Sequence, residues 1–224
     1  MLHHQCDSVF VVLCITMTSG EDAYYMNAHT TSPLDNANPL LALSLDELWR
    51  LFPLTLVESK NDWVDQYSEM KTTLENLLYN TSDLRIHHIG STALANIKTK
   101  DIVDILVEVS LDESLDQIAQ ILEEHGFICM AAEPSRISLN YGYTPQGYAD
   151  KVYHIHLRYR GDNDELYFRD YLTDHPDIAR QYETLKMNLC RQYVLDRDAY
   201  TAGKTAFIQT WTKAGKSAYK GRYQ

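Results

Sequence analysis

Three short stretches of this chain carry side chains that could do chemistry together. Asp104 sits in Ile102–Val109 (IVDILVEV), a run otherwise dominated by branched aliphatics. On a strand, successive side chains alternate between faces. Val103, Ile105, Val107 and Val109 then form an apolar face, and Asp104 projects from the other with Ile102, Leu106 and Glu108. A carboxylate there must be solvated, paired with an Arg or Lys such as Arg158, or bound to a cation. Glu108, about 13 Å further along, is too distant to share one ion with it. Val152–Tyr159 follows the same logic: Tyr153, Ile155, Leu157 and Tyr159 pack, while His154, His156 and Arg158 line the opposite face. Two imidazoles and a guanidinium in one row suit phosphate or metal binding. The third stretch is the turn His88–Thr92, where Gly90 is followed by Ser91 and Thr92. Backbone N–H groups and two hydroxyls can converge there on an anion, although Gly-Ser-Thr also describes a plain turn. Both polar rows face away from packed surfaces and need each other to stay satisfied, so Asp104 is expected within ~6 Å of His154 or His156.

The elements that must hold these residues can be read from capping and periodicity. Ser44 and Glu47 form a capping box for a short helix stopped by Pro53. Leu54–Val57 reads as a first strand, and Asn61 as the N-cap of a long helix carrying Trp63, Tyr67, Met70, Leu74 and Leu77. Strands are expected over Leu84–Ile89, Ile102–Val109, Phe127–Met130, Ile137–Tyr141 and Val152–Tyr159. Ser110 and Glu113 suggest a second capping box, opening a helix that Gly126 ends. The last third reads as three helices: Asp164–Leu172, Pro176 to about Tyr193, and Asp198 to about Tyr219. Strands mixed with helices, then helices alone, give an α+β fold around a central mixed sheet.

Composition excludes several classes. The chain has 224 residues, 45% hydrophobic and 23% charged, which suits one domain with a real core. A net charge of −11 argues against a broad nucleic-acid footprint. The four cysteines form no CxxC pair, so a reduced, cytoplasmic protein is expected, with no zinc cage or disulfide framework. Val9–Met17 is apolar but too short to span a bilayer, and Arg50 is the first basic residue, so no secretory n-region precedes it. Residues 1–43 are expected to be a disordered extension, ahead of a single domain over 44–224. The segment Asp196–Gln224 is basic, with six Lys or Arg against two Asp, and carries a stripe of Tyr200, Phe207, Ile208 and Trp211.

Five ordered motifs carry a resemblance. HIGSTA (His88–Ala93), KDIVDILVEV (Lys100–Val109), HIHLR (His154–Arg158), GDNDELYFRDYL (Gly161–Leu172) and RDAYTAGKTAFI (Arg197–Ile208) resemble the GrpB-like family of the nucleotidyltransferase superfamily. The likeness covers about Leu45 to Tyr223. It implies a nucleotidyltransferase-like mixed sheet with a helical carboxyl-terminal half. It also implies a small-molecule ligand, a nucleotide or other phosphorylated compound, bound with a divalent metal. By resemblance Gly90, Ser91 and Thr92 hold phosphates, and Asp104 is the catalytic acid and metal ligand. His154 and His156 are further candidate ligands, and Lys100, Arg158 and Lys204 offset negative charge. The metal implied is magnesium or manganese, with zinc the alternative favoured by two imidazoles.

The chain departs from the pattern at Leu106, where the superfamily has a second acid, and at Ala95-Asn96 and Asp101, where the family has Pro-Gly and Pro. Two-metal phosphoryl transfer relies on paired carboxylates. The loss of one acid favours a second reading, in which the fold is kept as a non-catalytic binding or folding-accessory module. Family members fused to dephospho-coenzyme A kinase suggest the same by resemblance.

Overall fold

A computed structural model describes residues Pro39–Tyr223. The expectations for Val9–Met17 and for most of the 1–43 extension fall outside the described residues. Five strands form one mixed sheet in the order β1-β2-β5-β4-β3. They are β1 (Arg85–Ile89), β2 (Val103–Val109), β3 (Ile128–Glu133), β4 (Arg136–Thr144) and β5 (Gly147–Tyr159). Only β2 and β5 run parallel; every other pair is antiparallel. The α+β class and the mixed sheet expected from the sequence are both present.

The apolar rows of β2 and β5 meet on one face, where Val103, Ile105, Val107, Tyr153, Ile155 and Leu157 are buried. Helices α2 (Trp63–Leu77) and α3 (Leu115–Glu124) cover this face through Trp63, Met70 and Leu74, and through Ile118 and Leu122. The opposite face, which carries the polar rows, lies under the helical last third. That third comprises α4 (Asp164–Asp174), α5 (Pro176–Gln192), α6 (Arg197–Ala202) and α7 (Thr205–Ala218). Leu166 of α4 closes on Ile89 and Leu106, and Phe168, Leu172, Ile178 and Tyr182 join Leu94 and Ile97 in a second core.

Local expectations hold where capping chemistry is unambiguous and fail where tertiary contacts compete. Helix α1 (Leu45–Leu51) has the full Ser44–Glu47 capping box. The Ser110–Glu113 box does not form: Ser114 caps α3 by accepting from Gln117 N, while Glu113 accepts from the backbone and hydroxyl of Ser82. Asp62, rather than Asn61, precedes α2. Leu54–Val57 is not a strand; only Val57 bridges, to Thr99. The expected helix from Asp198 to Tyr219 breaks at Gly203, which lies against Leu189 of α5 so closely that a β-carbon would meet its Cδ2 at 2.5 Å. Short residues Pro39–Ala42 form a 3₁₀ turn that buries Leu40 against the cluster of Leu48 and Phe52.

Candidate functional site

The parallel register of β2 and β5 sets Asp104 beside His154 and Leu106 beside His156. The Asp104 carboxylate therefore stands between two imidazoles: Oδ1 is 3.3 Å from His154 Nδ1 and 3.4 Å from His156 Nε2. The expected meeting of the two polar rows is present. Burial alone would raise the Asp104 carboxyl, but hydrogen bonds from both imidazoles overcome it and hold it well below the usual carboxylate range. Burial pushes His154 down to about 4, so its ring is neutral near pH 7. Its nitrogens are then both used: Nδ1–H donates to Asp104, and Nε2 accepts from the Tyr143 hydroxyl at 2.8 Å.

Gly90 closes the site from β1. Its φ of +68° lies in the left-handed region, and a β-carbon there would sit 2.3 Å from Asp104 Oδ2. The turn continues as a single 3₁₀ turn, Ser91–Ala93. With three residues per turn, consecutive side chains diverge by about 120°. Ser91 accordingly lines the cavity and is hydrogen-bonded to Tyr182. Thr92 is buried away from it, 3.0 Å from His88 Nε2.

A cavity of about 230 Å³ lies between this floor and helices α4–α7. Gly90, Ser91, Asp104, His154 and His156 line it, together with Lys100, Lys204 and a third lysine, Lys186. Phe168, Tyr182, Tyr200 and Ile208 supply apolar wall. Lys204 Nζ stands 4.5 Å from the centre of the Tyr200 ring. Among the expected site residues, Arg158 is placed elsewhere. It lies two positions beyond His156, about 7 Å along the strand. There it is fully buried and donates to the carbonyls of Ile137 and Leu157. Glu108 shares that row and accepts from Gly161 N and Asn163 Nδ2, with His87 Nε2 at 3.3 Å, so it is structural. Asp101 also turns away, accepting from Lys60 and Trp63 of the opposite face.

The donors do not make a ready metal cage. Among the described residues, no group of three or more His, Cys, Asp or Glu is placed to hold an ion. One carboxylate and two imidazoles converge, but both nitrogens of His154 already have partners, and the second acid is absent. Leu106 is fully buried against Ile89 and Leu166.

Sequence reasoning missed Lys186, Arg136, Tyr182 and Thr212, all of which line the cavity. For Lys186 a signal existed. It falls on the buried stripe of α5, after Ile178 and Tyr182 and before Leu189, where an apolar residue is the rule. Arg136 is held in a two-pronged pair with Asp162, at 2.7 and 2.6 Å.

A model described as GrpB protein matches residues 53–214 of this chain. The UPF0157 protein YqkA of Bacillus subtilis is 30% identical over 185 residues, covering 81% of this chain and 53% of YqkA. A dephospho-CoA kinase of Mycolicibacterium paratuberculosis is 25% identical over 198 residues, covering 75% of this chain and 48% of the kinase. The chain thus spans about half the length of each of these relatives. The crystal structure of conserved protein GrpB from Enterococcus faecalis aligns with a TM-score of 0.64 at 29% identity, over 74% of this chain and 99% of that one.

Proposed function

We propose that this chain, which belongs to the GrpB family, binds a nucleotide or another small phosphorylated molecule in the cavity between β2/β5 and helices α4–α7. The observation that carries the reading is the convergence of Lys100, Lys186 and Lys204 on one cavity that also has aromatic walls. Lysines recognise phosphate as point charges, and Phe168, Tyr182 and Tyr200 offer apolar surface to a base or sugar. Asp104 stays ionised beside the lysines, its carboxylate held by hydrogen bonds from two imidazoles.

The burial of Leu106 in an apolar cluster favours binding over two-metal transfer. In this reading, magnesium or manganese would enter with the ligand's own phosphate oxygens. The non-catalytic module remains the second reading, and similarity to half of a dephospho-CoA kinase is consistent with an accessory role.

Thermal unfolding with each of four nucleoside triphosphates and with pyrophosphate, in EDTA and then in magnesium or manganese, tests the proposal. A ligand at about 100-fold its dissociation constant should stabilise by about 2.7 kcal/mol. No shift with any of these would overturn it. Binding without release of pyrophosphate over hours would favour the module, and release would favour transfer.

A further inference from the structure

Lys186 has no ordinary structural explanation. Lys186 is 2% exposed, and among the described residues Nζ has no hydrogen-bond partner. Nζ stands 4.9 Å from the centre of the Tyr182 ring, one turn earlier on α5. An unpaired ammonium is among the costliest groups to bury. A second such group belongs to a residue of the same cavity wall: the Thr212 hydroxyl of α7, buried and without a partner among the described residues. Both residues line the cavity. Two residues from different helices, each with an unsatisfied buried donor, line one cavity whose floor is the Asp104 site; an anionic group there would complete them.

We propose that Lys186 is the anion anchor of this cavity, holding a phosphate group of the ligand directly, with Thr212 as a neighbouring donor and no divalent cation between them. The inference rests on the phosphate reading above and deepens it. It also fits the absence of a second acid: where paired carboxylates would bring cations to neutralise phosphate, this chain supplies a lysine.

The surroundings give the anchor a second property. Burial lowers Lys186 to about 7, and the positive charges of Lys204 and Lys100 push the same way, against weaker opposition from Glu183 and Asp104. His154 and His156 of β5 line the cavity as well. Near pH 8 the free protein therefore carries Lys186 largely as the neutral amine. When an anion arrives, the amine takes one proton from solvent and becomes the ammonium that pairs with it. Affinity should fall as pH rises above about 7, by up to tenfold per pH unit, and flatten below it.

The test is calorimetric titration of the full chain in EDTA. Pyrophosphate reads affinity. Inorganic sulfate, which has no proton to exchange near neutrality, reads proton uptake at pH 8 in two buffers of different ionisation enthalpy. We expect uptake approaching one proton per sulfate bound by the wild type. Lys186→Met should bind pyrophosphate at least tenfold more weakly and take up no proton. Lys186→Arg, permanently charged, should keep binding and lose the uptake. Pyrophosphate binding by Lys186→Met at wild-type affinity, or wild-type binding only with magnesium present, would overturn the anchor while leaving the phosphate reading intact. No binding of pyrophosphate or of any nucleotide by the wild type, with or without metal, would overturn both. Should the variants fail to fold, the wild-type proton count decides alone, and a value near zero overturns the anchor.

Discussion

Gly90 and Asp104 are in direct apposition: a β-carbon on the glycine would stand 2.3 Å from Asp104 Oδ2, on backbone already at φ +68°. The glycine is thus the means by which β1 presses a turn against the carboxylate that two histidines hold. Gly90→Ala must either twist the turn or displace Asp104 from His154 and His156. A loss of about 1–3 kcal/mol is expected in urea unfolding, from left-handed backbone strain plus the steric conflict. A change under 0.5 kcal/mol would show that the carboxylate can move freely, and that its placement is not set by this contact.

Two buried histidines, His154 and His88, make a pH prediction. His154 and His88 are each lowered to about 4, chiefly by burial. A histidine whose folded pKa is depressed binds its proton earlier in the unfolded chain, so stability is lost as pH falls from about 6.5 toward 4. Asp104, held below the ordinary carboxylate range, continues the loss beneath pH 4. With two histidines contributing, the slope should reach roughly 2.7 kcal/mol per pH unit near pH 5. Chemical denaturation at pH 7, 6 and 5 measures it, and a flat profile would mean that neither ring is depressed below its unfolded value in the folded protein.

Leu106 tests the missing acid. Its side chain is fully buried against Ile89 and Leu166. Leu106→Asp should not recreate a two-carboxylate metal site; it should cost about 3–5 kcal/mol, from lost packing and the desolvation of a buried carboxylate. Stability unchanged, together with a new magnesium-dependent rise in melting temperature, would contradict this.

How much of this was legible beforehand follows from which forces act locally. The alternation in Ile102–Val109 and Val152–Tyr159 located β2 and β5, and correctly put Asp104, His154 and His156 on one face, because period-two patterning is a property of each strand alone. Arg158 lies outside the cavity. Sharing a face does not mean sharing a cavity, and two residues of register carry its guanidinium to the carbonyls of Ile137 and Leu157. Glu113 satisfied the spacing of a capping box yet bonds Ser82, a partner 31 residues away that no local pattern encodes. The break falls at Gly203, which packs against Leu189 of α5, a tertiary contact that no local pattern encodes. Lys186 was overlooked for a different reason. Its sequence signal, a charge on an apolar stripe, reads as a minor irregularity until the helix is seen to back onto a cavity.

Lys186 also carries the last prediction, which concerns stability without ligand. The folded protein holds this amine at about 7, against 10.5 for an unperturbed lysine, mainly through burial. Between those values the unfolded chain binds a proton that the folded chain resists, so the penalty is absent above about pH 10.5 and grows as pH falls toward 7. Methionine matches the length of the lysine stem and removes both the orphan amine and the penalty. Lys186→Met should therefore be more stable than wild type at pH 7, by roughly 1–4 kcal/mol as for other buried charges replaced by apolar residues. The gain should shrink steadily toward pH 10. A residue retained against stability in this way is the signature of a functional constraint. Should the methionine variant instead lose stability at pH 7, Lys186 would be contributing to the fold through a contact of its own, and its place in the cavity would need no ligand to explain it.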